Sequence, residues 1–171
     1  MRTLSLLRHA KSSWDDPTQS DHDRPLNARG RRDAPRIAQF MRLNGLKPDL
    51  VLSSDAVRTQ QTLDLILAEL EGALPQVVTD GALYLAEPAA ILKLIAKVDR
   101  AAQHCMVVGH NPGLHDLAIA LAGSGVAGSL AALHQRFPTS SLAVLEFDSA
   151  SWRGIALEQC HLRDFVTPKT M

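Results

Sequence analysis

The stretch Leu4-Ser5-Leu6-Leu7-Arg8-His9-Ala10-Lys11-Ser12 decides how the rest of the chain is interpreted. Its apolar half is a short run typical of a buried strand, and the run ends in an arginine and a histidine. In open α/β sheets, ligands bind outside the carboxyl ends of the strands. We therefore expect Arg8 and His9 to lie at the edge of a sheet, where a binding site can form.

Two further apolar runs, Leu50–Leu52 and His104–Val108, are candidate strands. Helical patterns separate the runs, and the clearest of them is Leu63–Leu70, in which apolar residues recur at a spacing of three and four. Strands that alternate with helices predict an α/β protein with a mainly parallel sheet covered on both faces. Two late runs, Ser141–Phe147 and Ile155–Leu157, predict an antiparallel edge.

A long polar segment, Ala10–Asn27, follows the first strand. Segments of this length in a compact domain tend to be functional or disordered. The helix after it has two candidate starts, one at Ala28 and one near Asp33 that would place Pro35 in the first turn. Later in the chain, Gly123–Arg136 reads as a Gly/Ala-rich connection that is partly helical.

The chain has 171 residues, 46% of them apolar, and 18 basic against 18 acidic side chains. These values suit a single domain over residues 1–171. Nucleic-acid binders usually carry a basic surplus, so we expect no nucleic-acid partner. No run resembles a signal peptide or the roughly 20 apolar residues of a membrane span. We therefore expect a cytoplasmic protein that does not contact a membrane. The oligomeric state stays open.

Cys105 and Cys160 lack the spacing of metal ligands. Cys105 lies in an apolar run, as a buried reduced thiol does. A disulfide between the two cysteines stays open at this point, as does any role for either of them.

Two more polar residues follow the candidate strands: Arg58 opens the helix after the second, and His110 follows the third. Taken singly, each is an ordinary strand-end or surface residue. If the strands are neighbours, however, they converge with Arg8 and His9 on one edge. Arginines match phosphate geometry, a neutral imidazole can attack phosphorus, and a protonated one can stabilise a developing negative oxygen. The set predicts phosphoryl transfer in which protein cations replace a metal ion.

Four segments together resemble the histidine phosphatase (phosphoglycerate-mutase-like) superfamily. Leu7–Asp15 resembles its Arg-His-Gly signature, with Ala10 in place of the glycine, and Pro25–Gly30 is similar to its entry into the first helix. Ser53–Thr62 resembles the motif of its second arginine, and Val107–Gly113 that of its second histidine. The order and spacing match over most of the chain and are most similar to the SixA-type phosphohistidine phosphatases.

The resemblance implies a three-layer α/β/α fold, His9 as the nucleophile, Arg8 and Arg58 as phosphate clamps, and His110 as the second imidazole. It also implies that no metal is required, and we expect no other cofactor. We add Lys11 and Asn111 as candidate substrate-binding residues, because they adjoin these motifs.

The general acid is the least defined part of the site. Glu87 is the nearest match to the acid of mutase-like relatives, and Asp21 and Asp23 in the long segment are alternatives. Acid-phosphatase relatives carry an aspartate where this chain has Asn111. A protonated imidazole is already a good leaving group, so our hypothesis is that no single carboxylate is essential.

Three functions compete on this evidence. The leading interpretation is a signalling phosphatase that dephosphorylates histidine on a partner protein, because a chain this short leaves little room for a lid. The first alternative is hydrolysis of a small phosphomonoester such as a sugar phosphate. The second is a non-catalytic module that binds phosphate. Mutase activity is less expected, since the acid and the enclosing insertions are not evident.

Overall fold

The computed structural model describes residues 1–171, and its strands form one seven-stranded sheet. The strands are β1 (Arg2–Arg8), β2 (Leu50–Ser53), β3 (Gln76–Thr79), β4 (His104–Gly109), β5 (Ala122–Gly125), β6 (Leu142–Phe147) and β7 (Cys160–Val166). Their order across the sheet is β3-β2-β4-β1-β6-β7-β5. The three apolar runs that precede the candidate site residues are therefore adjacent strands at the centre of the sheet.

Strand directions confirm a mainly parallel sheet. β1 pairs in parallel with β4, β4 with β2, and β2 with β3, while β5 runs parallel to β7. β6 is antiparallel to both of its neighbours, β1 and β7. The antiparallel strand lies inside the sheet, so that β3 and β5 form the two edges.

Five helices cover the sheet: α1 (Ala28–Leu43), α2 (Val57–Leu67), α3 (Pro88–Ile95), α4 (Gly113–Leu121) and α5 (Ala127–Gln135). On one face, buried side chains of α1 and α2 such as Ile37 and Ile66 pack against Val51 and Met106. On the other face, α3, α4 and α5 pack against a second set that includes Leu6 and Val107. The predicted three-layer α/β/α arrangement is confirmed.

Of the two candidate starts of α1, the structure has Ala28, and Pro35 lies inside the helix. The Asn27 side chain caps this start by accepting from the Gly30 N–H at 2.9 Å. The segment expected to be a partly helical connection contains the helix α5, but it also contains most of the strand β5, which the sequence analysis did not predict. The strand predicted at Ile155–Leu157 is wrong, because the strand that pairs with β6 is Cys160–Val166.

The first turn of α1 packs directly on the chain that leaves β1. The Asn27 N–H donates to the Lys11 carbonyl at 3.0 Å. A Cβ added to Gly30 would lie 2.2 Å from that same oxygen, so only glycine allows this approach. The close contact fixes the segment after His9 against the helix.

Two further findings concern the chain as a whole. Cys105 and Cys160 are both buried and unpaired. None of the helices combines the length and the apolar character needed to cross a bilayer.

Candidate active site

Arg8, His9, Arg58 and His110 meet at the carboxyl ends of the central strands. Arg8 is the last residue of β1, His9 follows it, and His110 directly follows β4. Arg58 is the second residue of α2, the helix that follows β2. All four line one cavity of about 390 Å³, together with Lys11 and Asn111. The structure thus brings together the six residues that the sequence placed at this edge.

His9 is held as a neutral imidazole in which one of the two ring nitrogens is unprotonated. Its Nδ1 lies 2.7 Å from the Ala10 carbonyl, which can only accept, so Nδ1 carries the proton. Its Nε2 receives the Nε–H of Arg58 at 3.3 Å and therefore carries a lone pair. Burial, reinforced by the charges of Arg58 and Arg8, lowers the pKa of His9 from 6.5 to about 3. This is the protonation state that a nucleophilic imidazole requires.

His110 is also neutral, with the opposite tautomer. Its Nδ1 lies 3.2 Å from Nη2 of Arg58, which can only donate, so the proton is on Nε2, where it faces Ser54 Oγ at 2.8 Å. Burial first, and then the charge of Arg58, lowers the pKa of His110 to about 3. The two imidazole rings are 5.3 Å apart between centroids. Both unprotonated nitrogens are therefore turned towards the same guanidinium.

Arg8 and Asn111 share one anchor in the wall opposite Arg58. Arg8 Nη1 donates to the Phe137 carbonyl at 2.9 Å, and Asn111 Nδ2 donates to the same oxygen at 2.8 Å. Arg8 Nε and Asn111 Oδ1 are buried without a partner. Buried polar groups are normally paired, so these two atoms are available to a ligand that offers an acceptor to Arg8 and a donor to Asn111.

Asp21 is the only carboxylate that lines the cavity. Its Oδ2 accepts from Arg58 Nη2 at 3.0 Å and from the Tyr84 hydroxyl at 2.5 Å. Its Oδ1 accepts from Nε and Nη2 of Arg24 at 3.1 and 3.0 Å. The hydrogen bond from Tyr84, together with those from the two arginines, lowers the pKa of Asp21 to about 2. Asp21 is therefore ionised at neutral pH and balances part of the positive charge in the cavity.

The other two carboxylate candidates lie elsewhere. Glu87 is exposed at the start of α3 and does not line the cavity. Asp23 is also exposed outside the cavity, where it accepts from Ser20 Oγ at 2.8 Å and lies 3.4 Å from the His22 ring. The structure therefore does not bring Glu87 together with the residues that the sequence placed at the site.

Sequence reasoning missed the groups that support the site from loops. They are Ser54, Tyr84 and the Phe137 carbonyl, together with Arg24, Leu85 and Thr139, which line the cavity. Periodic patterns carry no signal for loop residues that contribute a backbone oxygen or a single hydroxyl. The one available signal was the unusual length of the segment between β1 and α1, which supplies Trp14, Asp21 and Arg24.

Comparisons with known proteins agree with this geometry. An uncharacterised protein from Mycobacterium tuberculosis is 38% identical over 95% of this chain and all of its own length. The crystal structure of an Agrobacterium tumefaciens protein assigned as the phosphohistidine phosphatase SixA is 36% identical and superimposes with a TM-score of 0.81, covering 98% of both chains. A Nakamurella multipartitia protein with the same assignment is 30% identical, with a TM-score of 0.84 over 98% of this chain and 96% of its own.

The family match itself covers residues 4–83, under the description histidine phosphatase superfamily (branch 1). This range contains Arg8, His9 and Arg58, while His110 lies beyond it and joins them only through the fold. The two solved structures with the phosphohistidine phosphatase assignment match nearly the whole chain and so extend the assignment beyond that range. The chain belongs to the histidine phosphatase superfamily.

Proposed function

We propose that this protein is a phosphatase that removes the phosphoryl group from phosphohistidine on a partner protein. The observation that carries the proposal is the state of His9, a neutral imidazole in the cavity wall whose unprotonated Nε2 faces Arg58, with Arg8 lining the same cavity. Family membership supports phosphatase activity, and the structures with the SixA assignment favour the phosphohistidine substrate. We extend the proposal to residues 1–171 as one catalytic domain acting in the cytoplasm.

The proposed reaction has two steps. In the first, the Nε2 lone pair of His9 attacks phosphorus while the bond from phosphorus to the substrate nitrogen breaks. The substrate imidazole is already protonated on its other nitrogen, so it leaves as a neutral ring. In the second, water attacks the phosphoryl group on His9 and releases orthophosphate, which returns His9 to its neutral form. The net reaction consumes one water and yields histidine and phosphate.

Arg8 and Arg58 stabilise the charge on the phosphoryl oxygens in both steps. Arg8 Nε and Nη2 have no hydrogen-bond partner within the protein, so both can donate to a ligand. A bound phosphate dianion next to His110 favours the protonated form of that ring, so phosphate binding is expected to raise its pKa from about 3. Protonated His110 can then donate from Nδ1 to a phosphoryl oxygen. In this scheme the protein supplies the cationic charge, so we propose that no metal is required.

The rim of the cavity favours a protein substrate. Trp14 is 70% exposed and Leu85 is 50% exposed, although both are large apolar residues, and both line the cavity. Exposed apolar side chains beside a site suit contact with another protein surface. A small phosphomonoester such as a sugar phosphate is the second candidate, because a cavity of about 390 Å³ is large enough to hold one.

A single-turnover assay tests the proposal. We expect the wild-type protein, in EDTA, to release phosphate from a phosphohistidine peptide after a burst of label on the enzyme. That label should be stable in alkali and labile in acid, as phosphohistidine is. His9→Ala should abolish both the label and the turnover, whereas His134→Ala, an exposed histidine on α5, should leave them unchanged.

The alternatives predict different results in the same assay. Hydrolysis of sugar phosphates without hydrolysis of the phosphopeptide would favour the small-substrate function. Phosphate binding without any turnover would favour a non-catalytic module. Loss of activity in EDTA that is restored by a divalent cation would contradict the metal-independent mechanism, and loss of turnover in Glu87→Gln with phosphate binding intact would contradict our hypothesis that no carboxylate is essential.

A further inference from the structure

We propose that exposed arginines at the start of α1 form a docking surface for the acidic face of the phosphorylated partner. We call this set the basic surface, and it consists of Arg29, Arg31, Arg32 and Arg36. The inference rests on the proposed function, because the docked partner presents its phosphohistidine to His9. It extends that function by proposing that the partner protein carries negative charge on the face that docks.

Positive charge is concentrated in α1, although the whole chain has no net charge. The chain has a formal net charge of zero, yet the only acidic residue of α1 is Asp33. Arg29 and Arg36 share Asp33 at 3.4 and 3.9 Å, whereas Arg31 and Arg32 are exposed and form no ion pair. At least two of the four charges are therefore uncompensated within the protein.

The arginines near the start of α1 are unfavourable for the helix dipole, and Arg31 and Arg32 gain no ion pair in return. Three of the first five residues of α1 are arginines, and its first turn contains no acidic residue. The amino end of a helix is the positive end of its dipole, so positive side chains are unfavourable there and acidic ones are favourable. A role in recognition explains this distribution better than a role in folding.

The basic surface adjoins the mouth of the cavity. The first turn of α1 packs on the backbone of Lys11, through the contacts of Asn27 and Gly30 described above. Lys11 itself lines the cavity. At a rise of 1.5 Å per residue, Arg36 lies only about 12 Å along the axis from the start of the helix. One partner can therefore contact the basic surface while its phosphoryl group reaches His9.

The acidic residues of the neighbouring loop form no ion pair with the arginines of this surface. Asp21 pairs with Arg24 and Arg58, and Asp23 lies beside His22. The absence of an overall basic surplus favours an acidic protein over a nucleic acid as the partner.

The test compares two phosphohistidine peptides of equal length, one flanked by glutamates and the other by lysines. For the wild type at low salt we expect kcat/KM to be about ten-fold higher with the glutamate peptide, and the preference to fall as salt is added. Arg31→Glu/Arg32→Glu should remove or reverse the preference. Turnover of p-nitrophenyl phosphate should not change in this variant, since neither residue lines the cavity.

The matched control is Arg100→Glu/Arg153→Glu, which makes the same charge change at two exposed arginines, one before β4 and one after β6, at the end of the central strands opposite to the cavity. It should keep the preference for the glutamate peptide. The same preference in wild type and the Arg31→Glu/Arg32→Glu variant, or an equal loss in the control, would overturn the proposal. Equal or tighter binding of a single-stranded oligonucleotide would assign the surface to nucleic acid instead and would also overturn it.

Failure of the proposed function is distinguishable from failure of docking. If neither peptide is hydrolysed while p-nitrophenyl phosphate is, the phosphohistidine assignment fails. Fluorescence anisotropy with the unphosphorylated peptides then decides the docking question. Binding of the glutamate peptide that is lost in Arg31→Glu/Arg32→Glu supports the basic surface, and equal binding by both proteins excludes it.

Discussion

Arg58 contacts both histidines of the cavity at once. Its Nε donates to Nε2 of His9, and its Nη2 donates to Nδ1 of His110. Its Nη1 donates to the Asp21 carbonyl at 2.5 Å. One guanidinium thus fixes the tautomers of two imidazoles and joins them to the loop that borders the cavity. A lysine carries the same charge but cannot place donors in three directions within one plane.

We therefore expect Arg58→Lys to lower kcat/KM by about 100-fold or more, although the charge is kept, because the planar set of donors is lost. Steady-state kinetics with p-nitrophenyl phosphate and the phosphopeptide would measure the effect. Arg42→Lys is the control, since Arg42 is exposed on α1 and pairs with Glu71 away from the cavity. Similar activities for the two variants would show that charge alone is sufficient at position 58.

Asp21 competes with phosphate for Arg58, because its carboxylate already accepts from Nη2 of that residue. Asp21→Asn removes the negative charge, so we expect orthophosphate to inhibit the variant about three- to ten-fold more tightly. Asp23→Asn, a change at an exposed carboxylate outside the cavity, should leave the inhibition constant unchanged. If Asp21→Asn instead abolished kcat with phosphate binding unchanged, Asp21 would be the general acid.

The four central side chains could be predicted because each follows an apolar run, and parallel neighbouring strands bring their carboxyl ends together. The position of Asp21 could not be predicted. Its contacts depend on how the segment from Ala10 to Asn27 crosses the start of α2, and no periodic pattern records that path. Glu87 was proposed on family resemblance alone, and its own surroundings gave no physical reason for it to face the cavity.

Among the elements, α1 supports the site without contributing a residue to the cavity, since its first turn rests on the backbone of Lys11. We expect Gly30→Ala to reduce both stability and activity, because the added methyl group overlaps the Lys11 carbonyl, two residues beyond His9. The stability loss should be about 1–3 kcal/mol, as for other overpacked sites. Urea unfolding and the KM and kcat for p-nitrophenyl phosphate would measure the two effects.

Gly128→Ala is the matched control for that change. Gly128 also lies in a helix, α5, but no atom lies within 4 Å of an added Cβ. The substitution should therefore be neutral or stabilise the protein by about 0.5 kcal/mol through the lower helix propensity of glycine. Equal destabilisation by both changes would mean that the contact with Lys11 is not the cause.

Elements with strong periodicity were predictable, and short ones with weak patterns were not. β5 contains Ala-Gly-Ser-Gly and α5 is rich in alanine and glycine, so neither has an apolar stripe to distinguish it from a connection. Ile155–Leu157 resembled a strand because it is apolar. The true strand, β7, alternates polar and apolar residues over Cys160–Arg163, and its first residues alternate between buried and exposed. Pairing with β6 decided its place, and pairing is a tertiary property.

For the whole molecule, three buried neutral histidines predict that acid destabilises the fold. The pKa of His104 is lowered to about 4 by burial, and those of His9 and His110 to about 3. In the unfolded chain all three titrate near 6.5. Between about pH 6.5 and 4 the unfolded state therefore binds more protons than the folded state, so the free energy of unfolding falls as the pH falls. Above about pH 6.5 these histidines are neutral in both states and do not change the free energy of unfolding.

Urea unfolding at pH 5, 6, 7 and 8 would measure this dependence. The slope against pH should lie mainly below pH 6.5. His104→Gln should reduce that slope by about one proton, because it removes one of the three titrating histidines. The glutamine amide keeps a partner for Ser5 Oγ, which lies 2.8 Å from the His104 ring in the wild type. His134→Gln should leave it unchanged, since His134 is exposed. A flat profile between pH 5 and 7 would contradict the prediction.

The reversed direction of β6 has a consequence for how this architecture diverges. Because β6 runs against β1, the segment Phe137–Ser141 that precedes it reaches the cavity from the amino end of a strand. Arg8 and His9 lie at the end of β1 itself. Arg58 and His110 follow β2 and β4, which lie on the side of β1 away from β6. Insertions between α5 and β6 that keep the Phe137 carbonyl, the anchor of Arg8, can therefore reshape one wall of the cavity while Arg58 and His110 are held by other segments. We expect members of the superfamily with different substrates to vary in this connection, so that specificity evolves there while the reacting groups stay fixed.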